Sequence, residues 1–377
     1  MKVLLVNDGC LELAGVSLFM YQWAKAVLEE YPDSLVTAYF RLSVKNRALK
    51  NAFEELGVTV IAGNHPENGT TTDKANRDAV KGDIHNILRD RYDVVHIHSS
   101  VIGFTTLVLG ETKNAKVPIR ISHAHGSFGE SRLKRMAHDV MRNYIRRTAT
   151  IYAGCSEQAG TYLFGEKGIH SDKWIKVPNA IETQKFRFSA EARNHRRAEI
   201  GIDDDELLLG AVGYLEEVKN HTFLIAVVRR LKENGHPVKM VILGAGSLKE
   251  KLASGIHSSG LDKDIILYGQ SDDIPGWLSA MDCYLMPSLS EGLPLSAVEA
   301  QASGLKCILS DRISAEVDIL PDVCHLPIDG GPDPWVKEIA GIKTNGDDLR
   351  CRAVDKVARA GFDRTVLRSV IAGMYQK

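Results

Sequence analysis

Short apolar runs alternate with amphipathic stretches along the whole chain. The runs are rich in β-branched residues, and their length is typical of buried strands rather than helices. In the first half of the sequence the predicted strands are 3–6, 35–40, 58–61, 94–97, 119–122, 150–153 and 175–177. Stretches with apolar residues at helical spacing lie between them, for example 16–30 and 131–147. This half therefore predicts alternating strands and helices.

The second half repeats the alternation. Its predicted strands are 207–212, 238–243, 265–268, 283–286 and 307–309. A strand followed by a helix, repeated, implies a parallel sheet with helices on both faces, so the sequence predicts an α/β protein with two doubly wound, Rossmann-like domains. The polar segment 178–197 is the best linker. We predict an N-terminal domain over 1–180, joined by a C-terminal helix within 361–377, and a second domain over 181–360.

Composition narrows the class of protein. A length of 377 residues suits two domains, and 44% apolar with 25% charged residues is ordinary for a globular protein. The net charge of −1 gives no reason to expect a nucleic-acid partner, and the six cysteines form no close pair, which excludes zinc-ribbon and redox motifs. The first apolar run is too short for a signal peptide, and no stretch approaches the ~18 apolar residues of a membrane span. We expect a cytoplasmic protein.

The loops that follow the strands carry the candidate chemistry. Ligands of open parallel sheets bind beyond the carboxyl ends of the strands, so two such domains predict a site in the cleft between them. Gly15 begins the helix after the first strand, where a small residue lets the backbone approach a ligand, although it is also suited simply to the turn. No G-x-G-x-x-G follows this strand, which argues against a nicotinamide or flavin enzyme.

Two glutamates flank a predicted helix start within 286–303. Pro294 marks that start, since proline fits the first helical turn, so Glu291 lies in the preceding loop and Glu299 inside the helix. The free N–H groups and the dipole of a helix N-terminus suit a phosphate. The carboxylates suit hydroxyl groups, and the combination fits a sugar nucleotide. The alternative is an ordinary capped surface helix with two solvated glutamates.

Four histidines end two predicted strands as His-x-His pairs. His96 and His98 share one face of a strand, as do His123 and His125, which invites a metal hypothesis. No acidic residue close in sequence completes either pair, and we expect no metal. For His125 we favour a hydrogen bond to a substrate hydroxyl near the reacting centre. A purely structural role suits His96 and His98 equally well.

Further candidates follow strands of the second half. Gly213 and Tyr214 end the first of these strands, and Lys219 opens the next helix, from where it could reach a phosphate. A lysine there is otherwise unfavourable beside the helix dipole. Gly244 belongs to a weak G-x-G signal, and Gln270 follows a strand where a nucleobase edge could bind. Ser247 is a candidate helix cap.

The segment 130–147 is a basic amphipathic helix. Its apolar stripe and six basic residues suit an anionic membrane surface. The stripe consists of Leu133, Met136, Ala137, Val140, Met141 and Tyr144, and the basic residues are Arg132, Lys134, Arg135, Arg142, Arg146 and Arg147. The alternative, which the sequence favours, is that the stripe packs on the sheet and the charges are solvated.

Together these motifs resemble the retaining family-4 glycosyltransferases, whose fold is GT-B. The densest match is SLSEGLPLSAVEAQASGLKCILSD, from Ser288 to Asp311. Supporting matches are DVVHIHSS (93–100), HAHGS (123–127), AGCSEQAGTYLFG (153–165), VPNAIE (177–182), VGYLEEVKNH (212–221), LGAGS (243–247) and LYGQSDDIPGWLSAMDCYLMPS (267–288). The CSEQAG and PNAI segments are most similar to bacterial enzymes that assemble capsular polysaccharide or exopolysaccharide.

The resemblance implies a nucleotide-diphosphate sugar donor, UDP-linked by frequency in the family, and transfer with retention to a saccharide or lipid-linked saccharide. It implies no cofactor and no essential metal. Glu291 would contact sugar hydroxyls, Glu299 the ribose and His125 the transferring sugar. Lys219 would neutralise the diphosphate, and Gly15 would allow its approach. The amides around Gly292, Leu293, Pro294, Leu295 and Ser296 would hold the diphosphate.

One position departs from the family. An arginine usually follows the glycine of the VG motif, but Tyr214 stands there, which removes one positive charge from the diphosphate site. Two rival functions also stay open, and Tyr214 favours the second of them slightly. One is a GT-B nucleotide-sugar epimerase, which would change its donor without an acceptor. The other is a catalytically weakened binding subunit.

Overall fold

The computed structural model describes residues 1–12, 15–67, 73–126, 132–177, 180–203, 206–291, 293–342 and 346–376. These form two compact units. Unit 1 is Met1–Ala180 with Arg364–Lys377, and unit 2 is Ile181–Asp363. No helix in these ranges is both long and apolar enough to cross a bilayer.

Unit 1 is built on a parallel sheet of seven strands in the order β3-β2-β1-β4-β5-β6-β7. The strands are β1 (Lys2–Asn7), β2 (Leu35–Phe40), β3 (Thr59–Ala62), β4 (Val94–His98), β5 (Ile119–Ala124), β6 (Ile151–Gly154) and β7 (Trp174–Lys176). The helices are α1 (Gly15–Glu30), α2 (Arg47–Glu55), α3 (Lys74–Ile87), α4 (Ile102–Asn114), α5 (Arg132–Thr148), α6 (Glu157–Phe164) and α7 (Glu166–Ile169), with α15 (Thr365–Tyr375) from the C-terminus.

Unit 2 has a six-stranded parallel sheet in the order β10-β9-β8-β11-β12-β13. Its strands are β8 (Leu207–Val212), β9 (Val238–Leu243), β10 (Ile265–Gly269), β11 (Cys283–Met286), β12 (Lys306–Ser310) and β13 (Val323–Leu326). Its helices are α8 (Ala190–Glu199), α9 (His221–Glu233), α10 (Lys249–Ser258), α11 (Ile274–Ala280), α12 (Leu295–Ala302), α13 (Asp333–Ala340) and α14 (Asp347–Val357).

Each sheet is covered on both faces, which explains why its central strands are apolar throughout. Val3 and Leu5 of β1 point into one core of unit 1, and Leu4 and Val6 point into the other. Unit 2 likewise has two cores, one on each face of its sheet. The prediction of two doubly wound parallel-sheet domains is confirmed.

The polar segment 178–197 is more than a linker. After Ile181 it folds into unit 2, where α8 packs against α11. Arg193 and Arg197 of this helix bind the two carboxylate oxygens of buried Asp282, at 2.6 and 3.0 Å. Arg193 and Arg197, whose charges suggested a solvated linker, therefore make ion pairs and carbonyl contacts within unit 2.

The last helix returns the chain to unit 1. α15 packs on α1, where the indole N–H of Trp23 donates to the hydroxyl of Tyr375 at 2.8 Å, with both side chains buried. At the surface, Arg368 pairs with Glu30 at 3.1 Å. The C-terminal residues thus complete the core on one face of the first sheet.

Candidate active site

The clearest feature beyond the strand ends of unit 2 is a close ion pair. Lys219 Nζ lies 2.6 Å from Glu291 Oε1, and the two side chains are only 17% and 18% exposed. Asn220 adopts a left-handed conformation (φ 52°) and its amide donates to the carbonyl of Pro287 at 3.2 Å. The amide of Leu289 donates to the carbonyl of Val218 at 2.8 Å. These contacts fix the loop after β8 against the loop after β11.

Two glycines bring the ends of β8 and β9 together. A β-carbon on Gly244 would lie 1.9 Å from the carbonyl oxygen of Gly213, so no other residue fits there without backbone movement. A β-carbon on Gly213 would lie 3.4 Å from Cε of Lys219. The backbone at Gly213 therefore runs beside the stem of the lysine. The next residue, Tyr214, is 42% exposed.

The helix after Glu291 begins one residue later than expected. Pro294 is its N-cap, with extended backbone (φ −73°, ψ 114°), and not its first helical residue. The amides of Leu295 and Ser296 lie in the first turn, where a helix supplies no acceptors. Ser296 Oγ accepts a hydrogen bond of 2.9 Å from Tyr284, a buried residue of β11. Leu293 is buried, and Gly292 lies outside the described residues.

Glu299 lies one turn inside α12. Burial raises the pKa of its carboxyl group to about 7. The group therefore changes between a hydrogen-bond donor and a pure acceptor near neutral pH. This environment differs from that of a solvated surface glutamate, which was the alternative that the sequence left open.

Three other candidates from the sequence are Gly15, Gln270 and Ser247. Gly15 is the first residue of α1, and nothing lies within 4 Å of the position its β-carbon would occupy, so packing does not require glycine there. Gln270 follows β10 and is exposed. Ser247 is not a cap, because α10 begins at Lys249. Its amide and hydroxyl instead donate to the carboxylate of Glu216 at 3.0 and 2.9 Å.

In unit 1 the four histidines form one cluster at the ends of β4 and β5. His96 Nε2 lies 3.1 Å from His123 Nδ1, and His98 Nδ1 lies 3.0 Å from His125 Nε2. Burial, with a smaller contribution from the neighbouring imidazoles, lowers the pKa of His96, His98 and His123 well below the usual value. Burial alone lowers the pKa of His125 to about 3. All four rings are neutral at physiological pH.

The cluster fits hydrogen-bonded pairs better than a metal centre. Possible ligand atoms of His96, His98 and His123 lie within 4.8 Å of one another. However, the rings of His96 and His98 stack with centroids 4.0 Å apart, and those of His123 and His125 stack at 4.2 Å. Imidazole lone pairs lie in the ring plane, so stacked rings direct them side by side and not toward a common point. The closest nitrogens are at ordinary hydrogen-bond distances.

Sequence reasoning missed Ser100, which fixes the backbone of the histidine loop. Its hydroxyl oxygen accepts the N–H groups of His125 and Gly126, both at 3.0 Å. A serine two residues after His98 was visible, but nothing local to the sequence indicated that it would bind a neighbouring strand end.

The predicted apolar stripe of the basic helix α5 is partly exposed to solvent and partly packed against the core. Met136 and Val140 are 69% and 73% exposed and Tyr144 is 38% exposed, whereas Met141 packs against the core. The favoured prediction, that the stripe packs on the sheet, is therefore wrong for Met136, Val140 and Tyr144. The side chains of Leu133 and Ala137 lie outside the part of the helix that the structure describes. Arg142 is not solvated either, because it is buried and donates to the carbonyl of Tyr162 at 2.7 Å.

Comparison with solved structures identifies the fold. Over its whole length the chain superposes on Anabaena HepE, crystallised in complex with UDP, with a TM-score of 0.78, 16% identity and 100% of both chains covered. WaaG, a glycosyltransferase of lipopolysaccharide biosynthesis, has a TM-score of 0.71 at 13% identity and covers 99% of each chain. The architecture is the GT-B fold, as the sequence resemblance implied.

Sequence comparison then gives the family. The glycosyl transferases group 1 profile matches residues 192–348. EpsF of Bacillus subtilis (strain 168), which is proposed to be a glycosyltransferase, is 33% identical over 277 residues, covering 72% of this chain and 71% of EpsF. The UDP-Gal:alpha-D-GlcNAc-diphosphoundecaprenol alpha-1,3-galactosyltransferase of Escherichia coli is 27% identical over 231 residues, 59% of each chain. The chain belongs to the group 1 glycosyltransferases, which confirms the predicted family.

Proposed function

We propose that this protein is a retaining glycosyltransferase that transfers a sugar from a UDP-sugar to a saccharide or lipid-linked saccharide during synthesis of a cell-surface polysaccharide such as capsule or exopolysaccharide. The observation that carries the proposal is the Lys219–Glu291 pair beside the start of α12. Support for UDP comes from HepE, which was crystallised with it, and from the E. coli relative, whose name specifies a UDP-Gal donor. That name also specifies a lipid diphosphate acceptor.

The ion pair suits two neighbouring parts of the donor. An ammonium group has three N–H donors, so Lys219 can bind Glu291 with one and phosphate oxygens with the others. The first-turn amides of Leu295 and Ser296 add donors at the positive end of α12. The second carboxylate oxygen of Glu291 is left to accept hydrogen bonds from sugar hydroxyls. Glu299 accepts hydrogen bonds from the ribose hydroxyls.

Each of the other predicted residues has its own role in the proposal. Gly213 and Gly244 let the phosphate approach backbone at the ends of β8 and β9. Exposed Tyr214 supplies a phenolic hydrogen bond in place of the arginine usual in the family. Gln270 lies beyond β10, where it suits the nucleobase. Gly15 leaves space for the diphosphate at the start of α1.

The reaction requires charge stabilisation and positioning but no metal or cofactor. In the mechanism we favour, the acceptor hydroxyl attacks the anomeric carbon on the face from which the diphosphate departs. The bond from carbon to diphosphate oxygen breaks as the new glycosidic bond forms, and a diphosphate oxygen takes the hydroxyl proton. Lys219 stabilises the leaving charge. His125, which is neutral, donates a hydrogen bond to the transferring sugar.

The exposed face of α5 supports contact with a membrane that carries a lipid-linked acceptor. Met136, Val140 and Tyr144 recur every four residues on this helix and are exposed, and Arg147 beside them is also exposed. Such a face binds an anionic cytoplasmic leaflet through apolar insertion and charge. We expect Val140→Asp to reduce co-flotation with phosphatidylglycerol vesicles severalfold. Leu349→Asp, at a position 63% exposed in unit 2, is the control and should leave flotation unchanged.

The donor test combines binding with product analysis. Each UDP-sugar of a panel is added to the protein, and the melting temperature is measured, because a bound donor stabilises the native state. The best donor is then incubated with and without a lipid-linked saccharide. Sugar transfer that requires the acceptor supports the proposal. A changed sugar in the absence of acceptor would instead identify an epimerase, and donor binding without either reaction would identify a binding subunit.

A further inference from the structure

The histidine cluster contains a hydrogen bond whose direction can be worked out. His98 Nδ1 and His125 Nε2 are 3.0 Å apart, so one of these nitrogens carries the shared proton. A neutral imidazole has one N–H group and one bare nitrogen. Fixing which ring donates therefore fixes the tautomer of both. Both rings are neutral here because burial lowers their pKa.

The environment of His98 decides the direction. Its second ring nitrogen, Nε2, is buried and has no hydrogen-bond partner in the described structure. A buried N–H group without an acceptor is rarer and costlier than a buried bare acceptor. His98 therefore carries its proton on Nδ1 and donates it to Nε2 of His125. It follows that the proton of His125 is on Nδ1.

The backbone of His125 is fixed independently of its ring. Ser100, which precedes α4, accepts the N–H groups of both His125 and Gly126 at 3.0 Å. The ring also packs edge-on against Phe19 of α1, with centroids 5.0 Å apart. Position, orientation and protonation of the imidazole are thus set by three separate contacts.

We propose that His98 and Ser100 are positioning residues that hold His125 with its Nδ1–H group directed at a hydroxyl oxygen of the transferring sugar. This proposal rests on the proposed function, because it assumes that His125 meets the donor sugar. It also predicts a donor preference: the sugar must carry an oxygen with a lone pair where the Nδ1–H group of His125 points. A donor with a hydroxyl or ether oxygen there is accepted, and the corresponding deoxy sugar is disfavoured because the N–H group is left unpaired.

Nuclear magnetic resonance tests the tautomer directly. The protein is labelled with ¹⁵N in its histidine rings, and the signals of His125 are assigned by comparison with the His125→Gln variant. Long-range proton–nitrogen correlations distinguish a protonated ring nitrogen from a bare one. We expect His125 to be protonated on Nδ1. Protonation on Nε2 overturns the proposal, and this measurement needs neither a substrate nor a variant at His98.

Variants at His98 test the consequence for catalysis. Asparagine places an amide N–H near the position of Nδ1, so His98→Asn should keep the tautomer and retain kcat/KM within about threefold. Leucine cannot donate, so His98→Leu should lose the Nδ1–H preference and lower kcat/KM by about tenfold or more. Equal activity of His98→Leu and the parent overturns the proposal. If His98→Leu does not fold, Ser100→Ala provides the kinetic test, with a similar loss expected.

The two proposals fail in different ways. If the parent protein transfers no sugar but His125 carries its proton on Nδ1, the proposed function is wrong and the tautomer assignment stands. If the parent transfers sugar and His125 carries its proton on Nε2, the function stands and the positioning role is wrong. A deoxy donor that is used as fast as its hydroxyl-bearing parent also overturns the positioning role.

Discussion

Replacing Lys219 with methionine tests the proposed charge site most sharply. Methionine keeps an apolar stem of similar length, which is the part of the lysine that lies beside Gly213, and removes only the ammonium group. The lysine is 17% exposed and 2.6 Å from Glu291, so its charge acts with little screening by solvent. Loss of one such group from the leaving-group side of a transition state costs about 3–4 kcal/mol, or roughly 10²–10³ in kcat.

The variant also affects stability, because Glu291 loses its partner. A charged hydrogen bond of this kind contributes about 1.5–3 kcal/mol, so Lys219→Met should lower the free energy of unfolding by an amount of this order. Glu291→Gln in the Lys219→Met background removes the unpaired charge and should recover part of that stability. Urea denaturation of the parent, the two single variants and the double variant gives the coupling energy of the pair.

A matched control is available on a neighbouring helix. Lys251 pairs with Glu217 at 3.0 Å, but these side chains are 59% and 70% exposed. Lys251→Met should change kcat by less than twofold and stability by less than about 1 kcal/mol, since exposed pairs contribute little. Steady-state assays of UDP release compare the two variants. If Lys219→Met also keeps kcat within threefold of the parent, Lys219 does not stabilise the leaving group.

Three further outcomes are expected. In the parent, the free energy of unfolding should fall as the pH rises from about 4.5 to 7, because the native carboxyl group of Glu299, with a pKa of about 7, keeps its proton where the unfolded one has lost it. Glu299→Gln should remove this fall. A parent curve that is equally flat in this window would contradict this. Gly15→Ala should raise the KM for the donor about tenfold without loss of stability, whereas Gly82→Ala in α3, which has equal space, should not change KM. Gly244→Ala should destabilise the protein by about 2 kcal/mol or more, because its β-carbon would overlap the Gly213 carbonyl, and an unchanged denaturation midpoint would show that this backbone relaxes.

Much of the fold could be predicted because its strands are buried on both faces. The runs 35–40, 238–243 and 283–286 coincide with β2, β9 and β11. Strand β13 was missed because it lies at the edge of the sheet, where its four residues are only half-buried and include Cys324 and His325. Such a segment has no continuous apolar run to identify it.

The site was predictable in its residues but not in its contacts. Strand-end positions and the family resemblance indicated Lys219 and Glu291. That they pair directly depends on the left-handed turn at Asn220 and on loop contacts that no local pattern specifies. The amphipathic helix shows the same limit. Periodicity placed Met136 and Met141 in one stripe, but only the packing of α5 against its neighbours decides which of them is buried.

The proposed function requires that a UDP-sugar is used at the Lys219–Glu291 pair. The most direct test is the rate of sugar transfer to a diphosphoundecaprenol-linked saccharide, measured for the parent and for Glu291→Gln with the donor that stabilises the parent most. We predict acceptor-dependent transfer by the parent and a rate at least 100-fold lower for the variant, measured at a temperature at which both proteins are fully folded. Transfer by Glu291→Gln at the parental rate would contradict the account.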